Sequence, residues 1–145
     1  EPGRGLHSDA GLQLTTVRNV KRETIGQTRQ WAEVDTSEVF LDLHGVPDDC
    51  PLQFSCVSKK ASGSLECYDV VGLTCNAEML SLDTLLPALT VDDVLAIYPT
   101  GAYLEPMAAN FNALPRPGSV LIDQGEVKLI KRHETVEDVF ARDII

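Results

Sequence analysis

Short stretches in which apolar and polar residues alternate, broken by turn formers, constrain this chain more than any other feature. Leu12, Leu14 and Thr16 alternate with Gln13, Thr15 and Val17, and residues 18–21 continue in extended style. Leu52, Phe54 and Cys56 alternate again, as do Tyr68 and Val70, and Val94 to Tyr98 is an apolar run of buried-strand length. Residues 120–122 and 127–130 flank Asp123-Gln124-Gly125-Glu126, which predicts a hairpin with glycine in its turn. A period of two suits a pleated strand with one buried face, so the pattern predicts a mainly β fold, a barrel or sandwich. Two segments read as helical. Asp83 to Leu89 is brief and leucine-rich, and Thr135 to Asp143 opens with Thr135 and Asp138 spaced as a capping box. Residues 58–64 read as a mobile loop.

A chain of 145 residues is one domain's worth. With 22 acidic against 12 basic residues it carries a net charge of −10, which repels a polyanion, so no nucleic-acid partner is expected. The densest basic stretch, Lys128, Lys131, Arg132 and His133, is followed by Glu134, Glu137 and Asp138 and reads as a solvated strand edge. No apolar run approaches the roughly 20 residues needed to cross a bilayer, and the first residues lack the order of a signal peptide, so no membrane partner and a cytoplasmic location are expected. Four cysteines stand at 50, 56, 67 and 75. Their spacing matches neither a secreted disulfide scaffold nor the Cys-x-x-Cys pairs of zinc sites, so no metal is expected. Cys50, Cys56 and Cys67 read as small hydrophobes. His7, His44 and His133 stand alone and suggest no catalytic role. The chain opens on a turn, Glu1-Pro2-Gly3-Arg4, where a preceding segment is expected.

Three stretches carry chemistry: Glu1-Pro2-Gly3-Arg4, Gly72-Leu73-Thr74-Cys75, and Gly101-Ala102-Tyr103 followed by Asn110-Phe111-Asn112 and Arg116-Pro117. Together they make an anion-binding set. Arg4 can fork onto a phosphate, Gly3 permits close backbone approach, and the Tyr103 hydroxyl can donate to a phosphate oxygen. Glu1 adds a carboxylate that could hold a protonated ring nitrogen.

In order and spacing these motifs resemble the second half of the fold-type III pyridoxal-phosphate-dependent decarboxylases that act on ornithine, arginine or diaminopimelate. The tail from Val127 to Asp138 resembles that family's closing strand and helix. The resemblance implies residues 1–10 as the end of a cofactor-binding barrel and residues 11–145 as a C-terminal β-domain of the alanine racemase/ornithine decarboxylase type, with a short C-terminal helix. It implies pyridoxal 5'-phosphate as cofactor, with Glu1 at the pyridine nitrogen and Gly3, Arg4 and Tyr103 at the phosphate. Cys75 would lie on a loop crossing a homodimer interface into the partner's active site, where its thiol serves as general acid. Phe111 and Asn112 would shape the wall near Tyr103. The partners implied are the N-terminal barrel half, which carries the cofactor-binding lysine, a second copy, and a small amino acid substrate.

Two departures bear on substrate. The family carries an acidic residue after the cysteine and another three positions further on, where Asn76 and Met79 stand here. Asn76 and Glu78 are therefore the substrate-binding candidates, Glu78 compensating by one position. Residues 35–44 also lack the Arg-Pro of diaminopimelate-specific relatives, leaving Asp42 as a candidate for a cationic tail. A standard ornithine or diaminopimelate pocket is not expected. Lys21, Lys59, Lys60, Lys128 and Lys131 match no cofactor-lysine position. The leading function is a contribution to a decarboxylase active site. The alternatives are a non-catalytic decarboxylase-like regulatory or binding protein, motivated by the altered Cys75 loop, and a free-standing β-barrel binding module.

Overall fold

Thr15 and Val17 turn inward from the first strand and set the face on which the barrel is built. In the computed structural model, which describes residues 2–25, 29–41, 51–59, 63–76 and 78–144, this strand β1 spans Gln13–Arg22. The alternation expected here is present, but its faces are reversed. Leu12 and Leu14 are each 60% exposed, while the Thr15 hydroxyl donates to Asp35 (2.8 Å) and Val17 enters the core. A one-residue choice of face moves every side chain, and the buried hydrogen bond of Thr15 accompanies this one.

Five further strands complete a six-stranded sheet: β2 Gln30–Val34, β3 Gln53–Cys56, β4 Leu65–Val71, β5 Met79–Pro87 and β6 Val94–Tyr98. Their order is β3-β6-β1-β2-β4-β5, antiparallel throughout except for the parallel β2–β4 pair. β3 and β5, at the two ends of this order, approach each other, so the sheet is nearly a closed barrel. Val17, Val34, Leu41, Val70, Leu86 and Ile97 fill it, each at most 1% exposed. Tyr68 lies among them fully buried. Its phenol donates to Glu66 Oε2 (2.7 Å) and accepts from the Leu89 N–H (3.0 Å), so the hydroxyl is satisfied inside the core. Burial, then the neighbouring Glu66 carboxylate, pushes the Tyr68 hydroxyl pKa up.

The helix expected over Asp83 to Leu89 is not formed; residues 83–87 belong to β5, paired with β4 from Leu65–Pro87 to Val71–Met79. Pairing overrides the leucine-rich local preference. Asp83 takes a φ of 50°, and its N–H donates to Asp69 Oδ1 (3.1 Å) where the ladder is irregular. Among the described residues this unit holds the short α-helices α1 Gly3–His7, α2 Glu38–Leu41 and α3 Leu104–Met107.

The residues from Ala108 onward form a second unit. Its strands β7 Ser119–Asp123 and β8 Glu126–Lys131 make the expected hairpin. Gln124 (φ 50°) and Gly125 (φ 86°) form its two-residue turn, which needs φ above zero at both positions. Helix α4 keeps the expected capping box of Thr135 and Asp138 but spans only Val136–Val139. Asn110 Nδ2 (2.7 Å), the Arg116 N–H (2.8 Å) and Arg116 Nε (2.8 Å) all donate to the Glu134 carboxylate. Arg116 above all holds Glu134 down at a pKa of about 2. Two motif residues thus serve one carboxylate of the tail. Of the expected mobile loop, residues 60–62 lie outside the described residues. Among the described residues no helix is long and apolar enough to cross a membrane.

Asp93 closes the turn before β6. It accepts from the Thr90 N–H (2.7 Å), Thr90 Oγ1 (3.0 Å) and Ser58 Oγ (2.9 Å), and pairs with Lys59 (2.5 Å). Burial opposes its ionisation, but Lys59 and these donors prevail and lower its pKa to about 2. A depressed carboxyl pKa stabilises the fold above the unfolded value of about 4, and that share is lost as pH falls toward the folded value. Asp93→Asn is expected to destabilise by about 1–3 kcal/mol at neutral pH and to flatten the pH dependence between about 4 and 2. Urea unfolding at a series of pH values checks this; an unchanged slope contradicts it.

Candidate functional site

Two glycines bring the ends of the first unit together. The Gly101 N–H donates to Ser8 O (2.9 Å) and the Thr100 N–H to Gly11 O (2.9 Å). A Cβ on Gly101 would lie 2.0 Å from His7 O, and one on Gly11 would lie 2.6 Å from the Gly101 Cα, so the two backbones cross with no room for a side chain. Two residues beyond the crossing, Tyr103 takes the left-handed conformation (φ 70°) between buried Ala102 and Leu104, 7% and 2% exposed. That conformation is uncommon for a bulky residue and holds only where its neighbours over-determine it. Here the two anchors leave the phenol outside, 46% exposed.

Gly3 and Arg4, in the first turn of α1, meet that phenol. The Arg4 guanidinium carbon lies 5.0 Å from the centroid of the Tyr103 ring, a cation–π contact. A Cβ on Gly3 would come within 2.6 Å of Tyr103 Oη, so the absent side chain is what lets backbone and hydroxyl approach. The structure therefore gathers a forked cation, a hydroxyl donor and a bare backbone, the donor set that suits a phosphate monoester. Glu1, the fourth expected member, lies outside the described residues.

A second group forms between β4 and β5. Because β2 and β4 run parallel as neighbours (Trp31 with Asp69, Glu33 with Val71), the segments leaving both strands emerge at the same end. The Leu73 N–H donates to Thr36 O (3.0 Å), and the Gly72 N–H to Glu78 O (3.2 Å), closing the base of the loop that carries Cys75. The Cys75 thiol is exposed. Asn76 is exposed, and its side-chain amide donates to the half-buried Glu38 at the start of α2. Glu78, expected to face a substrate, is instead 4% exposed and turned into the fold. Its Oε1 accepts from Ser37 Oγ (2.5 Å) and from the Thr74 hydroxyl.

The other candidates fall elsewhere. Phe111 and Asn112 form a short turn of the second unit, and Asp42, His44 and Cys50 lie outside the described residues. Cys56 is half-buried, whereas Cys67 is exposed and does not act as a buried hydrophobe. Partial desolvation by its neighbours and then the Asp83 carboxylate raise the Cys67 thiol pKa, which disfavours its thiolate. Ser37 and Glu38 were not apparent from the sequence. The one signal pointing to Glu38 was that the Cys75 loop lacks acids at 76 and 79, so a carboxylate was due from another segment.

No protein-family model matches the chain. It is 34% identical over 99% of its length to the diaminopimelate decarboxylase of Bacillus subtilis, of which it covers 32%, and 32% identical over its whole length to that of Methanocaldococcus jannaschii, again covering 32%. The chain thus spans about a third of the curated relatives it matches. The crystal structure of the M. jannaschii diaminopimelate decarboxylase in co-complex with L-lysine superposes on 99% of this chain and 32% of that one, with a TM-score of 0.86 and 30% identity.

The glycine crossing makes a prediction. Gly101→Ala forces Cβ against the His7 carbonyl, so the crossing must open. We expect a destabilisation of about 1–3 kcal/mol, the usual cost of overpacking, together with loss of protection of the Thr100 and Gly101 amides in hydrogen exchange. Wild-type stability and protection in the variant contradict the crossing.

Proposed function

We propose, from the premise that this chain corresponds in sequence and fold to the C-terminal domain of the fold-type III pyridoxal-phosphate-dependent decarboxylases, that it completes the active site of an α-decarboxylase acting on an amino acid. The convergence of Arg4 and Tyr103, from opposite ends of the first unit, carries this proposal.

Residues 1–10 belong functionally with the cofactor-carrying barrel, and the β-domain follows. Arg4 would bind the cofactor phosphate through charge-assisted hydrogen bonds, Tyr103 would donate its hydroxyl to the same group, and Gly3 admits the close approach of that hydroxyl. Glu1 would serve the pyridine nitrogen, its carboxylate keeping the ring proton in place. When bound, pyridoxal 5'-phosphate supplies the electron sink that lets the α-carboxylate leave as carbon dioxide. Cys75 holds a proton on Sγ and delivers it to the substrate α-carbon after that loss, a general-acid role. Its exposure on the β4–β5 loop suits a residue presented to the active site of a second copy across a homodimer interface.

Substrate selection falls to Asn76 and Glu38. An amide attracts a cation far more weakly than a carboxylate does, and the Asn76 side chain holds a carboxylate beside it. This pair supports an amino acid with an ammonium group at its distal end. The remaining partner is the barrel portion that carries the cofactor lysine, and the setting is the cytoplasm. The binding-protein alternatives leave the gathered phosphate donors without a purpose.

The test is made on the protein together with its barrel portion. Arg4→Ala is expected to weaken pyridoxal phosphate binding about ten- to a hundredfold, the loss of hydrogen bonds to a charged group, read from titration of the cofactor absorbance band. Cys75→Ser is expected to leave that affinity unchanged while carbon dioxide release falls at least about a hundredfold, the scale of a lost general acid. Unaltered cofactor affinity in Arg4→Ala, or full turnover in Cys75→Ser, overturns the assignment of that residue.

A further inference from the structure

The buried carboxylate of Glu78 has a purpose that substrate contact does not explain. We propose that Glu78 is a positioning residue, whose side chain locks the base of the Cys75 loop to the start of α2; this deepens the proposed function at the same site.

Four observations meet on one residue. Glu78 Oε1 accepts both the Ser37 hydroxyl (2.5 Å), from the residue before α2, and the Thr74 hydroxyl, from the residue before Cys75. A single oxygen thus ties two segments that are 37 positions apart in the chain (74 minus 37). The Glu78 carbonyl takes the Gly72 N–H (3.2 Å), so the same residue closes the loop through its backbone. Gly72 is what admits the side chain: a Cβ there would lie 1.8 Å from Glu78 Oε2, so the carboxylate would have to leave its place. Finally, Oε2 is buried with no hydrogen-bond partner among the described residues.

Two hydroxyls from different segments converging on one carboxylate oxygen point to a need for geometry. Oε1 sets that geometry. It fixes Thr74 relative to Ser37, and the residues next along each segment, Cys75 and Glu38, are presented in one register. Asn76, donating to Glu38 and anchored by its N–H to Thr74 Oγ1 (3.3 Å), makes a second tie between the same segments. Glu78 therefore acts through Thr74 on the thiol and through Ser37 on α2, touching no substrate itself.

The test uses Glu78→Ala, Gly72→Ala and their double variant, with Ser37→Ala removing a single donor should Glu78→Ala fail to fold. The first readout is amide hydrogen exchange, which needs no activity. Each single variant is expected to speed exchange at Gly72 and Leu73 by about tenfold, the loss of one hydrogen-bond's worth of protection, with the Val57 amide, held by Val94 O on a distant strand, unchanged. In the double variant the glycine substitution should add less than it does alone, because the 1.8 Å collision with Oε2 is gone and only the tighter-than-usual approach to Thr36 O (3.1 Å) remains. The second readout is kinetic: kcat falls while cofactor affinity stays at the wild-type value. Wild-type exchange in Glu78→Ala or Ser37→Ala, or a Gly72→Ala effect as large in the double variant as alone, overturns the proposal. A protein with no decarboxylase activity at all sinks the proposed function but leaves the exchange result to decide the role of Glu78 in the loop.

Discussion

The close crossing of two glycine backbones is the constraint from which the rest of the candidate site follows. Gly11 and Gly101 approach more nearly than any side chain allows, and two backbone hydrogen bonds seal the contact. Without it, α1 has no fixed relation to the barrel, and Arg4 has no reason to stack on Tyr103. The strained left-handed backbone of Tyr103 belongs to the same device. Buried Ala102 and Leu104 hold it in place, and the conformation turns the phenol outward to the arginine.

The second group depends on a different feature, the single parallel pairing in an otherwise antiparallel sheet. Parallel neighbours send their outgoing segments to the same end. The chain leaving β2 toward α2 and the chain leaving β4 toward Cys75 therefore meet, and Thr36, Ser37 and Glu38 bond respectively to Leu73, Glu78 and Asn76. Sheet topology supplies the neighbourhood, and a handful of hydroxyls and carboxylates supplies the register.

Much of this was legible from the residues alone. β6 has the bounds the apolar run suggested, the hairpin follows its glycine turn, and the Thr135–Asp138 box caps α4. Those features are local, so spacing is enough to find them. What was not legible is what depends on partners. Residues 83–89 read as a helix because leucines favour one in isolation, but β4 offers those up to Pro87 a ladder. β2 escaped notice because only Ala32 and Val34 of its five residues are buried, too few to show a period. The motifs at Gly3-Arg4 and Gly101-Ala102-Tyr103 were visible as words, and the resemblance to a decarboxylase family joined them. The inward turn of Glu78 was not visible, because its slot exists only where Gly72 lacks a side chain. Substrate-facing and buried glutamates look the same in a sequence.

The decisive measurement is a crystal structure of the protein loaded with pyridoxal 5'-phosphate. The predicted result is phosphate oxygens within about 3 Å of both the Arg4 guanidinium and the Tyr103 hydroxyl, the ordinary reach of such hydrogen bonds. A phosphate bound elsewhere, with arginine and tyrosine still stacked and untouched by it, would contradict the central claim.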